Sequence, residues 1–171
     1  VRQWANTSND HVLSMQVQGL AVNLFGANLS DWQAEMYAGF EEEIDTISDE
    51  YDDGVRNLLQ VMYDGTQAWF KKRGVTHIRL YRGQVTADVP GGTQSGDAIQ
   101  FNDNALASWS ASSAVAQRFA HMRDSAESDD ARPHILEAIV PVERILSTPF
   151  TGFGCLEELE MVVIGSSEPA H

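Results

Sequence analysis

The chain has 171 residues, 43% of them hydrophobic, which is enough for one globular core and too few for two ordinary domains. Eleven Lys and Arg against 25 Asp and Glu leave a formal charge of −14. That argues against broad binding to nucleic acid or anionic membranes, since both need clustered positive charge. Cys155 is the lone cysteine, so an internal disulfide and a cysteine-based metal cluster are excluded, and no apolar run reaches a membrane span of ~18 residues.

The first 74 residues read as helical. Leu13, Val17, Leu20 and Leu24 form one apolar stripe, closed by Gly26. Ser30 and Gln33 have capping-box spacing, and Trp32, Met36, Phe40, Ile44 and Ile47 continue a second stripe. Val55, Leu58, Leu59, Met62, Trp69 and Phe70 form a third, with a weak point at Asp64-Gly65 and a cap at Gly74. Residues 41–53 hold eight acids and no base, which reads as a solvated helix face, with a docking surface for a basic partner as the sharper alternative. Short β-rich runs follow at 78–82, 99–101, 107–110, 135–140, 145–148 and 159–164, with one short helix at 113–120 and loops at 83–97 and 122–133. The expected fold class is α+β, helices first and then a mainly antiparallel sheet. The start at Val1, without a charged-then-apolar leader, reads as a processed chain or, preferably, a segment of a longer polypeptide.

Three short stretches carry residue types suited to chemistry. Glu158 and Glu160 precede an apolar strand, and if the strand begins at Glu158, alternation places both on one face. Two close carboxylates raise each other's pKa, so one can stabilise positive charge while the other acts as a base, an arrangement suited to cleaving a glycosidic bond. The plain alternative is a wet strand face. Arg82 before Gly83 sets a forked cation beside bare backbone, which suits phosphate. Ser108 and Ser110 flank Trp109, and their hydroxyls can hold a carboxylate or ribose hydroxyls. The five histidines show no ligand spacing, so no metal is expected.

Taken in order, Arg82-Gly83, Ser108-x-Ser110 and Glu158-x-Glu160 resemble the mono-ADP-ribosyltransferases of the Arg–Ser–Glu class, over roughly residues 76–165. The stretch from Met62 to Gly83 looks like domains of phage head-associated and bacterial toxin proteins of that group. The resemblance implies one ADP-ribosyltransferase domain over 1–171, with 1–74 its helical part and 75–171 its β-rich NAD-binding core. It implies that Arg82 binds the pyrophosphate or nearby ribose of NAD, the Gly83 backbone holds the nicotinamide amide, and Ser108 and Ser110 line the NAD site, with Ser108 orienting the catalytic Glu160. Glu160 would bind the nicotinamide ribose and stabilise the oxocarbenium ion, and Glu158 would position and deprotonate the acceptor. Residues 148–157 would recognise that acceptor through Phe150 or Phe153, and Arg123 and Arg132 are candidates for a phosphate–nicotinamide loop near 121–133. The family's Ser-Thr-Ser has Trp109 at its centre here.

NAD is then a co-substrate and no metal is implied. The acceptor is a macromolecule, first of all a protein arginine; nucleic acid is less favoured and no membrane partner is implied. Location stays open, with secretion or injection into a target-cell cytoplasm among the options. Two other readings stand beside the transferase. One is an NAD glycohydrolase using the same site, and the other is a non-enzymatic assembly module of a larger phage or toxin protein. Convergence of Arg82, Ser108, Glu158 and Glu160 on one cleft discriminates an enzyme from the module.

Overall fold

A computed structural model describes residues 12–28, 31–39, 41–86, 95–97, 99, 103–122 and 132–165, with 41–52 described as backbone only. Helix α1 (Val12–Phe25) buries Met15, Leu20 and Ala21. It stops where Gly26 takes φ +65° and donates its N–H to the Val22 carbonyl at 3.0 Å, a left-handed cap that glycine adopts without Cβ strain. Helix α2 spans Asp31–Gly39 and helix α3 spans Glu41–Lys71. The expected second stripe is therefore divided: Ile44 and Ile47 belong to α3. Ser30 of the expected capping box and Phe40 lie outside the described residues, and so does the question of which way the acidic side chains of 41–52 point.

Asp64-Gly65 does not interrupt α3. A mid-helix glycine costs about 1 kcal/mol relative to alanine, and the next two residues bind this turn to the sheet. Thr66 Oγ1 donates to the Leu146 carbonyl at 2.9 Å, and Gln67 Nε2 donates to the carbonyls of Val142 (2.9 Å) and Ile145 (3.1 Å). Gly74 (φ +65°) then turns the chain into the sheet.

The sheet has five strands: β1 (His77–Thr86), β2 (Leu106–Ser110), β3 (Arg132–Pro141), β4 (Ile145–Ser147) and β5 (Glu160–Ile164). Their order is β3-β1-β2-β5-β4, and every pairing is antiparallel. Helix α4 (Ser113–Met122) follows β2, and a 3-10 turn at Val142–Arg144 separates β3 from β4. The α+β class and the antiparallel sheet are as expected; several boundaries are not. β1 continues four residues past Arg82, because Gly83 to Thr86 pair with Ile135 to Arg132 rather than forming a loop. Ile99 is outside any strand, and the rest of the expected 99–101 run lies outside the described residues.

Side-chain alternation divides the sheet between two cores. Leu106, Val162 and Ile164 pack with Leu20, Ala21, Leu59 and Met62; Leu80, Ala107, Trp109, Met161 and Val163 pack with Phe70, Ala138 and Val140. Helix α3 reaches both. A buried amide network ties the N-terminal helices to β2: Gln18 Oε1 accepts the Leu106 N–H and the Gln33 Nε2 (both 2.8 Å), and Gln33 Oε1 accepts the Ala105 N–H (2.9 Å). Buried polar groups are stable only when paired in this way.

Candidate functional site

The best-organised polar cluster lies where β2 and β5 pair. Register sets Ser110 opposite Glu160 and Ser108 opposite Val162, so these side chains share one face. Glu160 is 8% exposed, and both its oxygens are held: Ser108 Oγ donates to Oε1 at 2.5 Å, and the Cys155 backbone N–H donates to Oε2 at 2.8 Å. The Glu160 N–H returns a 3.0 Å bond to the Cys155 carbonyl. A carboxylate held at both oxygens is fixed in orientation, while keeping lone pairs for a further donor.

Ser110 is buried and its hydroxyl is used inside the fold. It donates to the Glu158 carbonyl (2.7 Å) and accepts the Ser112 N–H (3.0 Å), so it clamps the turn before β5 to the entry of α4. Ser108, the exposed residue at the middle of β2, is the serine that meets the carboxylate.

Glu158 is not in a strand, so the expected alternation does not operate. β5 begins at Glu160, and residues 156–159 form a turn in which the Leu159 N–H bonds the Leu156 carbonyl at 3.2 Å. Leu159 has φ +48°, a left-handed conformation that is costly for leucine, and its carbonyl accepts the Ala111 N–H at 3.1 Å. This turn, rather than strand periodicity, brings the two glutamates close. Burial raises the Glu158 pKa, the Glu160 charge raises it further, and Arg118 on α4 opposes both; Glu157 adds a smaller upward push. Arg118 is therefore near enough to Glu158 for its charge to be felt there.

Arg82 joins the cluster through main chain. β1 and β2 are paired only at Tyr81 and Ser110, and just beyond that point Arg82 Nη1 donates to the Ser108 carbonyl at 2.8 Å. Alternation sends the Arg82 side chain from the face opposite Glu160, that of Leu80 and Trp109. Its Nη2 lies 3.5 Å from Asp103 Oδ1. Gly83 is closely covered: a Cβ there would stand 1.8 Å from the Ala116 carbonyl oxygen and 2.7 Å from the Ala120 nitrogen. The seating of α4 requires this glycine whatever its backbone contributes.

The 148–154 loop is tightly built. Thr148 and Thr151 bond each other through their hydroxyls (3.1 Å), and Thr151 also bonds Thr66 (2.7 Å). Phe153 is a correction to the expected recognition pair: it is 9% exposed and packs in the core with Leu59 and Met62. Phe150 is 64% exposed and stacks on Trp69 with ring centroids 6.1 Å apart, and the Arg73 guanidinium lies over the Trp69 ring, 3.8 Å from its centroid. Arg132 opens the edge strand β3 opposite Thr86, and Arg123 lies outside the described residues.

Ser108 thus meets Glu160 directly, Glu158 is coupled to Glu160 through its charge, and Arg82 is linked to Ser108 through the Ser108 carbonyl. Residue reading missed Asp103, Arg118 and the Cys155 N–H. Nothing local marks an aspartate in a loop or an arginine on a helix face, and backbone donors carry no sequence signal. No family model matches this chain, and neither a curated protein nor a solved structure matches it significantly.

Proposed function

We propose that the chain is a mono-ADP-ribosyltransferase that cleaves NAD and transfers ADP-ribose to a macromolecular acceptor, first of all a protein arginine. The observation that carries this reading is the Glu160 carboxylate, held by Ser108 and the Cys155 N–H, beside a second carboxylate of raised pKa. The order of Arg82-Gly83, Ser108-x-Ser110 and Glu158-x-Glu160 supports it, and an ADP-ribosyltransferase type of fold is part of the same proposal.

The chemistry asks little beyond electrostatics and positioning. As the bond from the ribose anomeric carbon to nicotinamide breaks, its electron pair leaves with the neutral pyridine and positive charge develops on the ribose. The Glu160 carboxylate, locked by Ser108 and the Cys155 N–H, stabilises that charge without reorganising. An acceptor guanidinium nitrogen then bonds the anomeric carbon, and Glu158 takes its proton. A carboxyl pKa above the ordinary range makes Glu158 a better base than a free glutamate. Arg82 offers a cation to the substrate's phosphates in a chain that otherwise repels them.

The test is labelled NAD with a cell lysate, reading released nicotinamide and labelled macromolecules together. Glu160→Gln is expected to abolish both signals, and Glu158→Gln to lose transfer while keeping hydrolysis. Normal transfer by Glu158→Gln would remove Glu158 from its role, and absence of any Glu160-dependent turnover would overturn the enzyme reading.

A further inference from the structure

The loop before β2 holds an acid that no motif marks. Asp103 is largely buried, with its side chain 12% exposed, and it is bound from three sides. Its Oδ1 accepts the Asn104 N–H (3.0 Å) and faces Arg82 Nη2 (3.5 Å), and its Oδ2 accepts the Trp109 indole N–H at 2.8 Å. Trp109 is the residue that departs from the resembled family's serine-threonine-serine. Its ring fills the core with Leu80 and Met161, and a buried indole N–H requires an acceptor. Asp103 is that acceptor, and its other oxygen is thereby turned to Arg82.

The result is a guanidinium gripped at two points, by the Ser108 carbonyl and by Asp103. Such a fork cannot rotate freely, and that distinguishes it from a solvated surface arginine. Among the described residues Arg82 Nε is buried and has no hydrogen-bond partner, at the place where β1 and β2 cease to pair. Asp103 also lies within electrostatic reach of Arg144, whose Nε donates to the Ile164 carbonyl at 3.1 Å.

We propose that Asp103 and Trp109 are positioning residues: the indole fixes the carboxylate, and the carboxylate sets the Arg82 guanidinium for the diphosphate of the dinucleotide substrate. This inference rests on the NAD reading above. Trp109 in place of threonine is then a working substitution, because it supplies the donor that orients Asp103. Neither residue touches the bond that breaks, so the signature is weaker NAD capture with the chemical step intact.

The test uses Asp103→Asn as the near-isosteric variant, with Trp109→Phe, Arg82→Ala and the Asp103→Asn/Arg82→Ala double variant. Steady-state NAD turnover and the exchange rate of the Trp109 indole proton, assigned by its loss in Trp109→Phe, are both read. Asp103→Asn is expected to raise the KM for NAD about fivefold to tenfold with kcat within twofold, the range of about 1–1.4 kcal/mol for an interaction lost equally in ground and transition states. The indole proton is expected to exchange faster, and Asp103→Asn to add nothing once Arg82 is removed. An unchanged KM, or an effect that persists in the double variant, would overturn the relay. A kcat loss at constant KM would overturn it too. A wild-type protein with a protected indole proton but no NAD binding would instead sink the NAD reading, and with it the assignment of the relay to a dinucleotide.

Discussion

Replacing Gly83 by alanine tests how the site is assembled. The new Cβ would meet the Ala116 carbonyl oxygen at 1.8 Å, the Ala116 carbonyl carbon at 2.7 Å and the Ala120 nitrogen at 2.7 Å. All three are backbone atoms of α4, so no rotamer change relieves the clash. The helix must withdraw by roughly 1.5 Å to restore ordinary van der Waals distance, taking buried Val115, Ala116 and Ala120 partly off the sheet. Overpacking of this kind costs about 1–3 kcal/mol, which for a chain of this size is a fall of about 3–10 °C in melting temperature. Scanning calorimetry of wild type and Gly83→Ala at neutral pH measures it. A second readout is specific to the site. Arg118 rides on α4 and holds the Glu158 pKa down, so a withdrawn helix is expected to let that pKa rise further. Carboxyl carbon NMR follows the titration. A melting temperature within about 2 °C of wild type, together with an unmoved Glu158 titration, would refute the seating of α4 on Gly83.

On the transferase reading proposed above, Arg118→Ala alone is expected to shift the acidic limb of activity to higher pH, since Arg118 is the one cause that lowers the Glu158 pKa; a pH–rate profile shows the displacement. Because the folded pKa of Glu158 is raised, its contribution to stability is present below the ordinary glutamate range and is lost as pH rises through the shifted value; urea melts of wild type against Glu158→Gln are expected to converge as pH falls. Gln18→Leu removes an oxygen that accepts both the Leu106 N–H and the Gln33 amide, and stranding two buried donors is expected to cost about 2–4 kcal/mol in urea denaturation. Phe153→Ala is expected to cost about 3–4 kcal/mol as a core truncation. Phe150→Ala is expected to leave the melting temperature within a few degrees and reduce acceptor labelling without changing nicotinamide release.

The elements with strong local signals were legible from residues alone. Helix α1 with its Gly26 cap, the strand around Leu80, the Ser108–Ser110 strand with its helix, and the apolar run of β5 all follow from short-range pattern and glycine chemistry. Three features were not. Asp64-Gly65 reads as a weak point that leaves one helix or two open, and Thr66 and Gln67 hold the single helix through carbonyls some eighty residues away, a tertiary effect that no window contains. The glutamate pair reads as strand alternation, while its geometry comes from a left-handed Leu159, and leucine gives no warning of positive φ. Phe150 and Phe153 look alike in sequence. Only packing tells the exposed ring on Trp69 from the one under Met62, whose loop is so close that a Cβ on Gly152 would meet the Met62 sulfur at 2.7 Å.

Helix α3 has a bearing on how this chain could be divided. Leu59 and Met62 close one side of the sheet and Phe70 the other, and between them Thr66 and Gln67 bind three main-chain carbonyls of residues 142–146. No seam runs between a helical cassette and a β cassette at residue 74. Removing the helices opens both sides of the sheet at once and returns those carbonyls to water. Any shuffled or truncated descendant that keeps the glutamate site must inherit the C-terminal half of α3 with it.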